Sequence, residues 1–187
     1  MSSSANLSTA QSVTYQLDPQ HSMAQFKVRH LMISNVKGEF AKLSGSVTFN
    51  PADLASSRVE VTIDAASIHT REPQRDEHLK SADFLDVAKY PEITFRSTAI
   101  VAAGKNAYEV VGDLTIRGVT QPVALNVESL SDEVKDPWGN YRRGATARTK
   151  IERKDFGLVW NATLETGGVL VGDDVEITID AELTRKA

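Results

Sequence analysis

Residues 175–183 read VEITIDAEL, in which apolar and polar side chains alternate at every position. Successive side chains of a β-strand point to opposite faces, so this alternation predicts a strand with one apolar and one solvent-facing side. The same period recurs along the chain, strongly in four other runs and more weakly in two. The strong runs are 24–29, 58–65, 93–101 and 108–116, and the weak ones are 123–127 and 145–151.

One long stretch, residues 38–49, changes phase partway along. Gly38 and Phe40 share one parity, whereas Leu43, Val47 and Phe49 share the other, which predicts a bulge near Ala41 or Lys42. Only residues 74–81 have a convincing helical pattern, and a short helical turn is expected at 52–54. About eight strands of one-sided polarity separated by turn sequences predict an all-β sandwich or an up-and-down barrel.

The length and the amino-terminal composition bound the domain organisation. A chain of 187 residues suits one domain. Residues 1–12 are rich in Ser, Ala, Asn and Thr, so we interpret them as a disordered tail and 13–187 as the domain. The tail has no apolar stretch typical of a signal peptide, which favours a cytoplasmic location. A periplasmic or secreted location is the alternative if a leader has been removed.

Charge and composition exclude several partners. Lys and Arg total 21 against 25 Asp and Glu, a net charge of -4, so no basic footprint for nucleic acid is expected. No run approaches the roughly 18 apolar residues of a membrane-spanning helix. The chain has no cysteine, which excludes disulfides and thiol catalysis. We therefore expect any lipid partner to be held inside the domain.

Strand parity suggests that the interior is hollow. Phe26, Phe40, Phe49, Phe95 and Tyr108 point inward, but many other inward positions are small. The small ones are Ala24, Gly38, Gly45, Ala65, Ser97, Ala99, Gly112, Ala145, Ala147 and Ala181. Protein interiors are close-packed, so such a lining predicts volume that an apolar ligand occupies. The alternative is that small residues merely fit a tapering barrel.

Motifs for catalysis or metal binding are missing from the sequence. The four histidines lack zinc spacing, and there is no nucleophile elbow or phosphate-binding glycine loop. His30 continues an inward parity and is a candidate contact for a ligand head group. The cluster at residues 75–78, RDEH, is either a charged helix surface or an acid–base site. We therefore expect neither a metal site nor enzymatic activity. The alternative is an enzyme that uses His30, Asp76 or His78 as a catalytic residue.

Several motifs, in their order, resemble the YceI-like family of lipocalin-like, isoprenoid-binding proteins. The likeness runs from about residue 15 to residue 183, and its most specific block is GDLTIRGVT at 112–120. The other matching motifs are DPQHS (18–22), FKVRHL (26–31), VKGEF (36–40), RDEHLKS (75–81), YPEITF (90–95), DPWG (136–139), RKDFG (153–157) and VGDDV (171–175).

The resemblance implies an eight-stranded antiparallel, lipocalin-like barrel with a short helix in a long connection. It also implies an apolar tunnel that holds a polyisoprenoid lipid non-covalently, such as a ubiquinone or a polyprenyl phosphate, for storage or transport. A homodimer is expected, and no catalytic activity accompanies the fold. The sequence departs from the family at Leu85, where a second aromatic residue is common, and no motif identifies the head-group contacts.

These arguments predict a set of ligand-binding residues. Inward apolar side chains are expected to bind the lipid tail: Phe26, Val28, Phe40, Phe49, Ile63, Phe95, Leu114 and Ile179. Phe84, Phe156 and Trp160 are expected at the open end, with His30 or Arg75 meeting a polar head. The same lining also permits a different amphiphile, such as a fatty acid or an amide.

Overall fold

The computed structural model describes residues 11–187, in which β-strands dominate. The predicted tail at 1–12 lies outside the described residues except for its last two positions. The strands are β1 Val13–Leu17, β2 Met23–His30, β3 Ser34–Phe40, β4 Leu43–Phe49, β5 Arg58–Asp64, β6 Ile68–His69, β7 Glu92–Gly104, β8 Ala107–Ile116, β9 Val119–Leu130, β10 Val134–Lys135, β11 Tyr141–Glu152 and β12 Val171–Arg185. The helix α1 spans Pro73–Lys80, and short 3₁₀ turns occur at Leu54–Ser56, Ala65–Ser67 and Arg153–Phe156.

The strands form one antiparallel sheet that closes on itself. Their order is β10-β11-β9-β8-β7-β5-β4-β1-β12-β2-β3-β6, and the β11–β12 pairing completes the ring. The pairs β1 and β2, β3 and β4, and β5 and β6 each lie end to end, so each pair occupies one position of the ring. The predicted all-β, eight-stranded antiparallel barrel with one short helix in a long connection is therefore confirmed.

The predicted change of phase between residues 38 and 49 is a break in one long strand. β3 ends at Phe40 and β4 begins at Leu43, and Ala41 and Lys42 separate them. The backbone amide of Ala41 donates to the carbonyl of Ser67 instead of continuing the ladder, at 3.2 Å. The break lets the strand pair with β2 before it and with β1 after it.

A second bulge, in β7, overturns part of the predicted parity. Ser97 pairs with Gly112 of β8, but the next pair is Ala99 with Val111, so Thr98 is an extra residue. An extra residue inverts the orientation of every side chain that follows. Ala99 is consequently exposed and Ile100 is buried, and the prediction that Ala99 faces inward is wrong.

Helix α1 begins one residue earlier than predicted and lies across one end of the barrel. The side chain of Glu72 caps it by accepting from the Gln74 amide at 3.3 Å, and Pro73 fits the first helical position. Asp76 attaches the helix to β6, because its carboxylate accepts from the amide and the hydroxyl of Thr70 at 2.8 and 2.5 Å. Burial is the largest single influence and raises the pKa of Asp76, but the hydrogen bonds from Thr70 and His69 together outweigh it and keep this pKa below its usual value.

Within residues 11–187, no helix combines the length and the apolar character needed to cross a bilayer.

Candidate functional site: an apolar cavity in one half of the barrel

One half of the barrel interior contains a cavity of about 610 Å³. Its walls come from β2, β3, β5, β6, β7, β8, β9, β11 and β12, and its open end, called the mouth below, lies beside α1 and the segment 158–171. The deep walls are mostly branched aliphatic and aromatic side chains. They include Ala24, Phe26, Val28, Val36, Phe40, Val61, Ile63, Ile93, Phe95, Leu114, Ile116, Leu125, Ile151, Val175, Ile177 and Ile179.

The register between β2 and β12 builds one wall of the cavity. Phe26 pairs with Ile177 and Val28 with Val175, and residues opposite each other in a ladder point to the same face. The ring of Phe26 also packs against that of Phe40 on β3, with centroids 5.8 Å apart. Alternation along these strands therefore presents a continuous apolar surface to the interior.

Three aromatic side chains meet at the mouth. The ring of His78 on α1 lies edge-on to Trp160 at 4.6 Å and to Phe84 at 5.1 Å, and Phe84 and Trp160 are 5.3 Å apart. His78 is oriented by Asp83, whose carboxylate lies 2.9 Å from its Nε2 atom. All three rings line the cavity, so they narrow its opening.

A buried arginine organises the segment that forms the other side of the mouth. Arg153 donates to the carbonyls of Leu158 at 2.5 Å, Trp160 at 2.9 Å and Gly172 at 2.8 Å. Its burial lowers the pKa of the guanidinium, and Asp173 opposes that shift. Because the donors of Arg153 are used by backbone carbonyls, it holds the wall in place and offers little to a ligand.

The two predicted head-group residues both lie at the mouth. His30 is the last residue of β2 and pairs with Val171 of β12. Arg75 on α1 lines the cavity, but its guanidinium donates to the hydroxyl and the carbonyl of Thr70, at 2.7 and 2.8 Å. His30 is thus the less constrained of the two, and polar groups concentrate at the mouth rather than deep inside.

The structure brings together eleven of the thirteen residues predicted from the sequence. Those that line the cavity are Phe26, Val28, His30, Phe40, Ile63, Arg75, Phe84, Phe95, Leu114, Trp160 and Ile179. Their contact with a ligand stays a prediction.

Phe49 and Phe156 are outside the cavity lining. Phe49 faces the other half of the barrel, where its ring packs edge-on against Tyr108 at 5.5 Å. Phe156, 1% exposed, is buried within the hydrophobic core and does not line the cavity. Parity shows on which side of a strand a residue lies, but it does not show how far along the barrel axis it sits.

Small inward residues are mostly not what opens the cavity, contrary to the prediction from strand parity. Of the ten inward small residues, only Ala24 lines it. A Cβ atom on Gly38 would lie 2.3 Å from the ring of Phe26, and one on Gly112 would lie 2.5 Å from the ring of Phe95. Aromatic rings from adjacent strands therefore occupy the space that the glycines leave.

Sequence reasoning missed several lining residues. His78 was predicted only as an alternative catalytic residue, Arg153 and Val171 occur only in motifs of the resemblance, and Leu158 and Leu170 belong to no predicted element or motif. Val171 and Val175 are separated by an irregularity in the β2–β12 register, so alternation from residues 175–183 does not extend to Val171. Leu158 and Leu170 lie in a segment without strand periodicity, and no pattern indicated their orientation.

The comparisons with known proteins agree with this geometry. The model of the YceI-like domain family matches residues 15–183. A UPF0312 protein of Photorhabdus laumondii is 45% identical over 155 residues, 82% of this chain and 80% of the relative, and one of Vibrio cholerae is 41% identical over 151 residues, 80% and 79%.

Solved structures share the fold. BcnA of Burkholderia cenocepacia superposes with a TM-score of 0.77 at 27% identity, covering 89% of this chain and 98% of that one. The Campylobacter jejuni YCEI protein has a TM-score of 0.70 at 32% identity, with coverage of 85% and 90%. A polyisoprenoid binding domain from Saccharophagus degradans, with a TM-score of 0.63, 18% identity and coverage of 90% and 97%, shows the same fold.

Proposed function

We propose that this chain, which belongs to the YceI-like family, is a non-catalytic carrier or store of a polyisoprenoid lipid. The observation that carries the proposal is the largely apolar cavity of about 610 Å³ inside a closed barrel, with His30, Arg75 and His78 at its mouth. The fold that the chain shares with a protein described as a polyisoprenoid binding domain supports the ligand class. A ubiquinone-like or polyprenyl phosphate lipid is the specific ligand that we propose.

The cavity volume sets how much of a tail is enclosed. A water molecule occupies about 30 Å³ in the liquid, and a methylene group needs a similar volume, so the cavity accommodates roughly 20 carbon atoms, or about four isoprene units. Their burial contributes on the order of 16 kcal/mol before ordering costs, which remove much of it. A longer tail would extend through the mouth.

The identity of the ligand is tested by extracting freshly purified protein with organic solvent and measuring the mass of the extracted molecules. A polyprenyl compound in stoichiometric amount is expected. If the protein carries no lipid and also fails to bind an added C20 prenyl alcohol, the proposed function is wrong.

A matched pair of substitutions tests the location of the ligand. Ala24 lines the cavity, whereas Ala99 is exposed on the outer face of β7. Ala24→Phe should fill the cavity and lower prenyl affinity at least about tenfold, while Ala99→Phe should leave it unchanged. Equal affinity in both variants would place the ligand elsewhere.

The alternative ligand, a straight-chain amphiphile, is tested by competition. The walls contain many branched side chains, which fit the methyl groups of an isoprenoid. A C20 prenyl alcohol should displace a fluorescent probe more strongly than a C20 fatty acid does.

The expected homodimer and cytoplasmic location belong to the same proposal and are tested by light scattering and by cell fractionation.

A further inference from the structure

Two loops form an outer rim around the mouth. The rim consists of residues 31–33, at the turn between β2 and β3, and residues 158–170, between the last 3₁₀ turn and β12. The backbone amide of Leu31 donates to the carbonyl of Leu170 at 2.9 Å, so the two loops adjoin each other. His30, Leu158, Trp160, Leu170 and Val171, within or next to these loops, line the cavity.

The rim exposes apolar side chains. Ile33 is 78% exposed, Val159 is 63% exposed, and Met32 and Val169 are exposed as well. Charged residues make up 25% of the whole chain, yet Glu165 is the only Asp, Glu, Lys or Arg in the two rim segments. Contiguous apolar surface of this kind marks interaction sites, whereas apolar residues that are exposed singly need no explanation.

The exposed residues continue the cavity lining over its edge. Leu158 and Trp160 face the cavity, and Val159 between them faces outward. In the same way Leu170 faces inward beside the outward-facing Val169. The apolar surface is therefore continuous from the interior of the barrel to the tips of the rim.

The turn at residues 31–33 is built to project its side chains. Leu31 and Met32 both have positive φ angles, 52° and 61°, which is unfavourable for residues other than glycine. Arg29 stabilises the turn by donating to the carbonyl of Met32 at 2.8 Å. An exposed Ile33 on a strained and specifically supported turn indicates a surface with a role outside the barrel.

We infer that the rim inserts into the surface of a lipid bilayer and thereby opens the cavity directly to membrane lipid. The inference rests on the proposed function, because a ligand with a polyisoprenoid tail resides in bilayers. It also follows from volume: the part of a tail beyond roughly 20 carbons lies outside the cavity and needs apolar surroundings at the mouth. The projecting tips suit insertion among lipid chains better than the flat complementary packing of a second copy.

The charge distribution determines the type of docking. The protein has a net charge of -4, and the rim has no lysine or arginine, so attraction to anionic head groups does not drive binding. Apolar insertion is insensitive to ionic strength. Binding to vesicles should therefore be similar at about 0.1 M and about 1 M salt, where the Debye length is about 10 Å and about 3 Å.

The test measures sedimentation of the full chain with phosphatidylcholine vesicles. Val159→Asp and Ile33→Asp, in different rim loops, should each lower vesicle binding at least about tenfold. Val134→Asp is the matched control, because Val134 is similarly exposed, at 61%, but lies on β10 at the opposite end of the barrel. The control should bind vesicles like the wild type, and thermal unfolding checks that each variant folds.

Binding of a C20 prenyl alcohol, added from ethanol without vesicles, separates this inference from the proposed function. Loss of vesicle binding by the rim variants with prenyl binding retained supports the inference. If the wild type binds the prenyl alcohol but not vesicles, or if Val134→Asp weakens vesicle binding as much as Val159→Asp, the inference is wrong and the proposed function stands. The inference is also wrong if the wild type is a dimer that does not bind vesicles and a rim variant converts this dimer to a monomer. That result would identify a second copy of the chain as the partner of the rim.

Discussion

The two halves of the barrel interior are filled in opposite ways, although long strands such as β11 and β12 run through both. In the mouth half, aliphatic and aromatic side chains surround the cavity without filling it. The other half, called the closed end, is filled by Tyr15, Leu17, Leu43 and Leu183, which form a buried cluster of their own. Phe49 and Tyr108 also point into the closed end, and their rings are in contact.

Hydrogen-bonded charges seal the closed end. The hydroxyl of Tyr15 donates to Glu133 at 2.5 Å, and Arg185 donates to both carboxylate oxygens of Glu133, at 2.9 and 2.7 Å. The hydrogen bonds from Arg185 keep the pKa of Glu133 below its usual value, while burial raises the pKa of Tyr15. At the mouth, by contrast, Arg75 and Arg153 donate mostly to local backbone carbonyls.

The difference shows how one alternating pattern supports both stability and binding. Side chains that meet across the closed end gain dispersion contacts and exclude water. Those around the cavity forgo contacts on one side, which costs stability but leaves room for a ligand. The following predictions test this division, beginning with the largest expected effect.

Matched leucine truncations should separate the two halves. Leu183→Ala at the closed end should lower the free energy of unfolding by about 3–4 kcal/mol, and Leu114→Ala beside the cavity by about half as much. Leu183 lies in the buried cluster of the closed end, whereas Leu114 already borders the cavity. Urea denaturation measures both values, and equal losses would contradict the comparison.

Ligand binding should stabilise the protein and protect the mouth half selectively. At 100 times its dissociation constant, a C20 prenyl alcohol should raise the free energy of unfolding by about 2.7 kcal/mol. Hydrogen exchange should slow in residues 158–171 and change little in β1, at the closed end. Uniform protection of both regions would show that the ligand does not distinguish them.

Acid should weaken the outer surface of the closed end. Arg142 lies between Asp18, Asp136 and Glu182, with distances of 2.7 Å to Asp18 and 2.8 Å to Asp136. Hydrogen bonds from His21 and Arg142 lower the pKa of Asp18 to about 2, and those led by Arg142 lower the pKa of Asp136 to about 2.

Because these pKa values are lower in the folded state, their stabilisation is complete above the unfolded value of about 3.9 and is lost as pH falls toward about 2. The thermal midpoint should therefore be constant from pH 7 to about 5 and fall between about pH 4 and pH 2. Arg142→Gln should reduce the fall, and an unchanged pH profile in that variant would contradict the assignment.

Asp18, His21 and Glu182 also come close enough together to suggest a metal site, but Arg142 already supplies positive charge there.

The smallest effect is expected for Arg143, whose side chain reaches the closed end. Its guanidinium lies 5.9 Å from the ring centroids of both Tyr15 and Phe49, and its Nε atom has no hydrogen-bond partner within residues 11–187. Arg143→Met should change the free energy of unfolding by less than about 1 kcal/mol. The variant loses the cation–π attraction, but it also avoids the free-energy cost of burying a charged guanidinium, and the two effects nearly cancel. A loss of several kcal/mol in urea denaturation would show that the charge itself is required.

Much of the fold was predictable because it depends on local patterns. Alternation identified the strands, the phase change located the break at Ala41 and Lys42, and the helix at 74–81 differs from Pro73–Lys80 by one residue. The resemblance added the closed barrel, which alternation alone did not distinguish from a sandwich. Parity then selected most of the cavity lining, but it was wrong beyond Thr98, where a single unpaired residue is not visible in the sequence.

Alternation along each strand was enough to establish that the chain has an apolar interior and which side chains face it between bulges. The tertiary structure alone decided where that interior is empty. A void depends on what neighbouring strands place in it, and the rings of Phe26 and Phe95 fill the spaces beside Gly38 and Gly112. The cavity lies instead where the apolar side chains of opposite walls stand too far apart to meet, because register and closure, rather than residue size, set the distance between those walls.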